Sequence, residues 1–336
     1  MFSHISLALT AALLLSTAFA SKSADVNVLY NFGNSTWAEN LAVRANGQIL
    51  VSRLDKPEIL QVDPTGANSP ITVASWDSPT MSGCLGISET TPDMFYVITD
   101  GVYNADSVLT SGVNSIWEID MSTFAVSKKT GAVVSNATVS KLVDITTSGL
   151  LNGLTTLTDH TILAADSHNG WVYHINTHSG DYKVAINDEK MKFDYFPNPT
   201  LNIGVNGIKV YDGHLYWTNT AAGTLNRIGI TGKGTPVGKS EILANNVPKA
   251  DDFVIRSDGT AFIAQNQVQG NELSVLYPKS HVAHVIAGSN TSTIVTGVSA
   301  GKFGRLQNDK HILYLTTGSS SVTMPGTVSW VDTTKI

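Results

Sequence analysis

An internal repeat is the feature of this 336-residue sequence that most constrains its fold. The repeated pattern is a strand, a turn, a second strand, a short loop and a third strand that ends in a polar turn. It is clearest in residues 39–64, ENLAVRANGQILVSRLDKPEILQVDP, where Asn46-Gly47 marks the first turn and Asp63-Pro64 the last. The alternation of apolar and polar residues, with many Val, Ile, Thr and aromatic side chains, is typical of strands and not of helices.

Six copies of this pattern follow one another along the chain. The later copies contain LGISETTPDMFYVITD, NGLTTLTDHTILAADSHNGWVYHINTHSG, NGIKVYDGHLYWTNTAAGTLNRIGITG, DDFVIRSDGTAFIAQNQVQGNELSVLYP and KFGRLQNDKHILYLTTGSSS. Antiparallel sheets repeated in this way predict an all-β, six-bladed β-propeller. The segment DVNVLYNF, residues 25–32, is a single strand without a hairpin partner, and we expect it to pair with the last blade and close the ring. No linker interrupts residues 21–336, so we predict one domain.

Residues 1–20 have the pattern of a cleaved secretory signal, with an apolar run that ends in Ala18-Phe19-Ala20. The run is shorter than the ~20 residues of a membrane span, so an N-terminal anchor is the less favoured alternative. We therefore expect a secreted or lumenal protein with no membrane span. In those compartments the sequons at Asn34, Asn136 and Asn290 are candidate glycosylation sites.

Composition and the absence of familiar motifs narrow the function. The net charge is −6 and charged residues are 14 % of the chain, without a Lys/Arg cluster, so no nucleic-acid partner is predicted. The single cysteine, Cys84, excludes an intramolecular disulfide, and its apolar neighbours favour a buried thiol over a nucleophile. No G-x-S-x-G, P-loop, G-x-G-x-x-G or H-E-x-x-H sequence is present, and no organic cofactor is predicted. We expect a monomer or a weak oligomer.

Alignment of the repeats on their first strands brings four polar residues to one position. The four are Glu39, Asn152, Asn206 and Asp251. In blades two and six the alignment places Gly83 and Gly301 there. Because the first strand of each blade lines the channel, we expect the four side chains to converge at one mouth. Two carboxylates and two amides suit one divalent cation such as Ca²⁺, or the carboxylates are hydrated and well apart.

A second set of polar residues lies where the second strands end. Arg53, Asp166 and Asn219 align there, with Asp100, Gln265 and Thr316 as looser equivalents. Asp166 and Asn219 are candidate catalytic residues and Arg53 a candidate substrate contact, although polar strand ends are often only solvated. Trp37 and Tyr195 are candidate apolar walls of a substrate site. Tyr195 belongs to the aromatic loop at residues 191–200, which either covers a pocket or packs over a blade edge.

Several of these segments resemble a known family. WAENLAVRANGQILVS, LNGLTTLTDHTILAADSHNGWVYHI, GVNGIKVYDGHLYWTNT, ADDFVIRSDGTAFIA and GKFGR are similar to the exported fungal members of the SMP-30/gluconolactonase-like six-bladed propellers. In the lactonase branch the resemblance implies a divalent cation on Glu39, Asn152, Asn206 and Asp251, which would polarise a lactone carbonyl and activate water. The sequence differs from that branch at Glu39-Asn40-Leu41, where Glu-Gly-Pro is expected, and at Asp251-Asp252, where Asp-Gly is expected.

The chain is also similar to the hetero-Diels-Alderases of tropolone sesquiterpenoid biosynthesis, which join a quinone methide to a terpene alkene. Such a reaction needs little acid–base chemistry, because holding two reactants in a reactive pose with one hydrogen bond to the heterodiene lowers the barrier substantially. The resemblance therefore implies a natural-product enzyme, a pericyclase acting on a small hydrophobic substrate. A metal-dependent lactonase or esterase and a non-catalytic binding propeller are the two alternatives.

Overall fold

The computed structural model describes residues 23–127, 129–199, 201–266, 271–289, 291, 293–318 and 324–336. The predicted signal peptide and the sequon at Asn290 lie outside these residues. Within them the regular structure is almost entirely β-strand, and the one helical element is a 3-10 turn at Glu189–Met191. No helix in these ranges has the length and apolar character that crossing a bilayer requires.

The chain forms its strands in six successive groups preceded by one single strand. The first is β1 (Val26–Asn34). Blade 1 contains β2 (Ala38–Val43), β3 (Ile49–Arg53), β4 (Glu58–Val62) and β5 (Ile71–Ser75). The second repeat contains β6 (Cys84–Glu89), β7 (Met94–Thr99), β8 (Val102–Tyr103), β9 (Leu109–Ser111), β10 (Ser115–Asp120), β11 (Ala125–Val126), β12 (Val133–Ser135) and β13 (Thr138–Asp144). Of these, β6, β7, β10 and β13 form blade 2, whereas β8–β9 and β11–β12 are inserted hairpins.

The remaining repeats are more regular. Blade 3 contains β14 (Leu151–Thr158), β15 (Thr161–Asp166), β16 (Trp171–Asn176) and β17 (Tyr182–Asn187). Blade 4 contains β18 (Val205–Tyr211), β19 (His214–Asn219), β20 (Thr224–Ile230) and β21 (Pro236–Ala244). Blade 5 contains β22 (Ala250–Ile255), β23 (Ala261–Gln265), β24 (Glu272–Leu276) and β25 (His284–Gly288). Blade 6 begins with β26 (Val298–Phe303), β27 (Ile312–Thr317) and β28 (Pro325–Asp332).

The chain closes into a ring, as the sequence predicted. β1 pairs antiparallel with β28 and so becomes the outer strand of blade 6. The first strands of the six blades contact one another in the closed order β2, β6, β14, β18, β22, β26 and back to β2. The all-β, six-bladed propeller is therefore confirmed, and its channel is lined by those six strands.

A β-bulge sits near the start of every channel-lining strand. The regular pairing with the neighbouring strand breaks directly after the first residue of β2, β6, β14, β18, β22 and β26. A bulge redirects side chains, and in four blades the residue that follows is Glu39, Asn152, Asn206 or Asp251. The same register puts Leu85 in blade 2 and Ser299 in blade 6. Gly83 and Gly301 were therefore wrong. Each lies two residues from the correct position, because neither Leu85 nor Ser299 carries the amide or carboxylate that marks this position in the other four blades.

The glycines that follow Asn152 and Asn206 let neighbouring blades approach one another closely at the channel. A Cβ on Gly207 would lie 2.3 Å from the Oδ1 atom and 2.6 Å from the Cα atom of Asp252 in the next blade. One on Gly153 would lie 2.3 Å from the carbonyl oxygen of Asn206. Only glycine avoids these backbone contacts. The Asn-Gly pairs at the start of blades 3 and 4 are thus packing features of the channel, whereas Asp212-Gly213 is the two-residue hairpin turn, with positive φ at both positions.

Candidate functional site

One mouth of the channel opens into a cavity of about 350 Å³. The four aligned polar residues, here called the ring residues, all line it. Glu39, Asn152, Asn206 and Asp251 are each less than a tenth exposed. The apolar part of the wall consists of Trp37, Leu54, Leu85, Val102, Leu150 and Ile203. The site thus combines a polar floor at the axis with an apolar rim.

Glu39 is held by the indole of Trp37, whose Nε1 atom donates a hydrogen bond to its Oε2 atom at 2.5 Å. Oε1 of Glu39 has no hydrogen-bond partner among the described residues. Trp37 is itself fixed between two blades. Its backbone N–H donates to Oδ1 of Asp55 at 2.8 Å, and its ring packs against Gly318, where an added Cβ would lie 2.3 Å from Cδ1 of the indole.

The other three ring residues differ in how far their polar atoms are satisfied. Asn266 donates from Nδ2 to Oδ2 of Asp251 at 2.9 Å. Asn206 donates from Nδ2 to Oγ1 of Thr220 at 2.9 Å, which leaves its carbonyl oxygen for a ligand. Asn152 makes no side-chain hydrogen bond within the described ranges of the chain. With respect to the described residues, the cavity therefore presents the unpaired amide of Asn152, the carbonyl oxygen of Asn206 and Oε1 of Glu39.

The two carboxyl groups hold protons more tightly than usual. Burial, together with the charge of Asp251, raises the pKa of Glu39 well above its ordinary value. Burial is also the main cause that raises the pKa of Asp251 to about 7, with Asp252 adding to it and the hydrogen bond from Asn266 opposing it. Two carboxyls in one desolvated site rarely ionise together. Burial and mutual repulsion therefore favour a protonated carboxyl in this pair, and a protonated carboxyl can donate a hydrogen bond to a ligand oxygen.

The two residues predicted to be catalytic do not line this cavity. Both carboxylate oxygens of Asp166 accept hydrogen bonds, including those from the backbone N–H groups of Gly149 and Leu150 at 2.8 and 3.1 Å. Asn219 donates from Nδ2 to the carbonyl oxygens of Lys190 and Lys192 at 3.0 and 2.7 Å. Both side chains are fully buried. Their hydrogen bonds fix loops against blades 3 and 4, and nothing in this geometry supports a catalytic role.

Of the three predicted substrate contacts, one lines the cavity and two do not. Trp37 lines the cavity, as expected. Arg53 instead makes ion pairs with Asp55 and Glu58 at 2.5 and 3.0 Å, outside the cavity wall. Tyr195 packs on Phe196, with 4.8 Å between the ring centroids, and does not reach the cavity either. Among the described residues of the aromatic loop and the segment directly after it, Ile203 lines the cavity.

The strand-end alignment itself is confirmed for Arg53, Asp166, Asn219 and Gln265, which pair with the first residue of each channel strand. In blades 2 and 6 the equivalent residues are Thr99 and Thr317. Asp100 and Thr316 were each one residue off, because that register follows strand pairing and not the position of the polar turn.

The inserted hairpin β8–β9 supplies a part of the site that the sequence did not reveal. It brings Val102, Tyr103 and Ser107 to the cavity, next to the buried Asp100. The Tyr103 hydroxyl donates to Oδ1 of Asn114, and burial raises the pKa of the Asp100 carboxyl well above its ordinary value. Asn202 donates to the carbonyl oxygen of Asp106 at 3.1 Å and ties this hairpin to the loop before blade 4. No turn or motif signal in residues 101–115 marks this contact.

The ring residues suit a hard divalent cation through their oxygen atoms. Glu39, Asn152 and Asn206 each have a side-chain oxygen that accepts no hydrogen bond within the described chain, and Asp251 has a second carboxylate oxygen. Such oxygens are the ligands that Ca²⁺ prefers. The set contains only two carboxylates, and in the described ranges no group of three or more His, Cys, Asp or Glu residues is arranged to hold a metal.

No protein-family model matches the chain. Two fungal sequences do. A protein of Sarocladium schorii named "Putative hetero-Diels-Alderase asR5" is 26 % identical over 343 residues, which cover 91 % of this chain and 83 % of that protein. A protein of a Phoma species named "Putative hetero-Diels-Alderase" is 23 % identical over 315 residues, covering 86 % of this chain and 85 % of the relative.

Solved structures show the same architecture at low sequence identity. The gluconolactonase XC5397 from Xanthomonas campestris superposes with a TM-score of 0.58 at 14 % identity, over 94 % of this chain and 92 % of that one. The chain thus has the six-bladed propeller fold of the gluconolactonase-like proteins, and over most of its length its sequence is similar to proteins named as hetero-Diels-Alderases.

Proposed function

We propose that the protein catalyses a non-redox cyclisation of the hetero-Diels-Alder type in the cavity at the Glu39 mouth. The main support is one observation: an apolar rim surrounds four buried polar side chains, among them Glu39, whose pKa is raised by burial. The similarity to two proteins named as hetero-Diels-Alderases favours the same reaction class. The substrates would be a quinone methide and a terpene alkene.

The reaction requires the protein only to position the two reactants and to polarise the heterodiene. The four-atom heterodiene and the alkene form one C–C and one C–O bond while three π bonds become one, so no atom leaves and no electrons are supplied. The heterodiene oxygen becomes more electron-rich along the path, and a hydrogen bond from the Glu39 carboxyl or the Asn152 amide would stabilise it. Trp37, Leu85 and Ile203 would hold the hydrocarbon partner against the heterodiene.

The test is a comparison of the catalysed and the spontaneous reaction. A quinone methide released in situ reacts with a sesquiterpene alkene in the presence and absence of purified protein, and product amount and enantiomeric ratio are measured. We expect faster formation and one dominant enantiomer with the protein. Equal rates and a racemic product in both samples would refute the proposed reaction.

A metal-dependent lactonase or esterase is the second candidate, and the ring of oxygen ligands favours it. Glu39, Asn152, Asn206 and Asp251 would hold the cation, which when bound acts as a Lewis acid toward an ester carbonyl. Metal analysis of the purified protein and of Asp251→Ala separates the two candidates. A stoichiometric divalent cation in the wild type, with lactone hydrolysis abolished by chelator, would establish the second and displace the first.

We also propose that the protein is exported and glycosylated. Asn34 and Asn136 are exposed, which leaves room for a glycan at either sequon. Expression with residues 1–20 in a fungal host should give medium-borne protein whose mass falls on treatment with an N-glycosidase. Protein retained in the cytosol with unchanged mass would contradict export.

A further inference from the structure

The opposite mouth of the channel contains a second cavity, also about 350 Å³. The same strands line both cavities at different heights: in β14, Asn152 lines the first and Thr155 the second, and in β18, Asn206 lines the first and Lys209 the second. Buried polar groups lie between them. Asn40 donates from Nδ2 to Oδ2 of Asp252 at 3.0 Å, and Lys209 donates to Oδ1 of the same carboxylate.

Among the described residues, three cationic side chains line this second cavity, and two of them form ion pairs. Lys209 is paired with Asp252, and Arg305 is paired with Glu89 while also donating to the carbonyl oxygen of Val43 at 3.0 Å. Lys302, on β26, makes neither a hydrogen bond nor an ion pair with any described residue. Burial, reinforced by the charge of Lys209, lowers the pKa of Lys302 to about 8, so its ammonium is still mostly charged at neutral pH.

One hydroxyl in the cavity is also uncommitted. Thr156 donates to the carbonyl oxygen of Glu89 at 2.7 Å, and the hydroxyls of Ser88 and Thr156 are 2.7 Å apart, so these two satisfy each other. Thr155 precedes Thr156 on β14 and makes no side-chain hydrogen bond within the described part of the chain. Lys302 and Thr155 thus give the cavity one spare positive charge and one spare hydroxyl donor.

The cavity wall is about equally polar and apolar, and its apolar part includes Val43, Val210, Val254 and Phe303. Asp252 and Glu89 are near enough to act on the Lys302 charge, but neither forms an ion pair with it. A partly buried ammonium without a direct partner is unfavourable unless a ligand supplies one. One spare charge matches one anionic group, and the apolar wall matches a hydrocarbon body.

We propose that this second cavity binds a small monocarboxylic acid with an apolar body. The carboxylate accepts hydrogen bonds from the Lys302 ammonium and the Thr155 hydroxyl, and the hydrocarbon part lies against Val254 and Phe303. This site is independent of the reaction proposed at the Glu39 mouth, from which the Asn40–Asp252–Lys209 network separates it.

The experiment uses 4-fluorobenzoate as the probe and follows its ¹⁹F resonance on titration with the full-length mature protein. We expect saturable binding of 4-fluorobenzoate and at least tenfold weaker binding of the neutral isostere 4-fluorobenzamide. Lys302→Met, which keeps the chain length and removes the charge, should weaken 4-fluorobenzoate binding about tenfold or more, the usual effect of losing a charged hydrogen bond. Lys233→Met, the same change at an exposed lysine, should leave it unchanged.

Thr155→Val serves as the second variant, because it keeps the shape of the side chain while removing the hydroxyl. It should weaken 4-fluorobenzoate binding several-fold, and circular dichroism checks that each variant is folded. Wild-type protein that does not bind 4-fluorobenzoate, that binds the amide equally well, or whose binding is unchanged in folded Lys302→Met would overturn the proposed site.

Discussion

Glu39 is the residue whose chemistry separates the two candidate functions. Its Oε2 atom accepts the hydrogen bond from Trp37, so a proton on the carboxyl belongs on Oε1, the oxygen without a described partner. Glutamine reproduces this arrangement with an amide that donates in place of the carboxyl, but it cannot supply the negative charge that a cation requires.

We therefore predict that Glu39→Gln keeps cyclisation within about tenfold of the wild type, whereas Glu39→Leu loses about 10²- to 10³-fold, the usual effect of losing one transition-state hydrogen-bond donor. The measurement is the initial rate of stereoselective product formation. Glu241→Gln, at the surface, is the matched control. If the glutamine variant is as inactive as the leucine variant, the reaction requires the negative charge of Glu39, and this result would favour the metal-dependent candidate.

Asp251 allows a prediction about stability. The unfolded carboxyl ionises near 3.8, but in the folded protein burial delays ionisation to about pH 7. Between these values the folded state binds the extra proton, so this group's contribution to stability is lost as pH rises from about 4 to 7.

Asp251→Asn should remove this pH-dependent loss of stability, because an amide does not ionise. In the presence of chelator, its free energy of unfolding relative to that of the wild type should be higher at pH 8 than at pH 5, by a few kcal/mol at most, because Glu39 shares the proton. Urea unfolding at the two pH values measures it. A variant equally destabilised at both values would mean that Asp251 is ionised in the folded protein throughout this range.

Among the secondary-structure elements, the channel strands show what sequence reasoning can and cannot supply. Alignment of the first strands was sufficient to bring Glu39, Asn152, Asn206 and Asp251 to one position, because each directly follows the first residue of its strand. Leu85 and Ser299 were missed in the other two blades, because neither has the amide or carboxylate side chain found at this position in the other four.

The strand ends show the limit for single residues. Asp166 and Asn219 do end apolar strands, as their positions in the sequence suggested. Their side chains are hydrogen-bonded to the backbone of neighbouring loops, Asp166 at Gly149 and Asn219 at Lys190 and Lys192. The same limitation hid Tyr103, which reaches the cavity only because the β8–β9 hairpin folds back over it. Contacts set by tertiary folding leave no local pattern in the sequence.

The glycines of the channel strands give a prediction at this scale. Gly207→Ala places a Cβ 2.6 Å from the Cα atom of Asp252, a backbone atom that cannot move without shifting blade 5. We expect a loss of about 1–3 kcal/mol in the free energy of unfolding, typical of overpacking. Gly232→Ala, where no atom lies within 4 Å of the added Cβ, should change it by less than about 0.5 kcal/mol. Equal urea midpoints for the two variants would contradict the close approach of the blades.

For the whole molecule, ring closure is what brings the site together. Glu39 belongs to blade 1 and Asp251 to blade 5, so they share a cavity only when all six blades surround one axis. The strand that closes the ring is β1, whose Leu29, Tyr30 and Phe32 side chains pack in the cluster that contains Val328. Without it, β28 would be left with an open, hydrogen-bonding edge.

A chain that starts at Ser35 should therefore fail to form a stable monomer, whereas one that starts at Ser21 should fold. We expect the shorter chain to elute as aggregates in size-exclusion chromatography and to lose its near-ultraviolet circular dichroism. A synthetic peptide of residues 23–34, added during refolding, should restore part of the monomer by pairing with β28 in place of β1. A monomeric chain from Ser35 with an unchanged Tm would show that the propeller is closed by its other contacts and that β1 is dispensable.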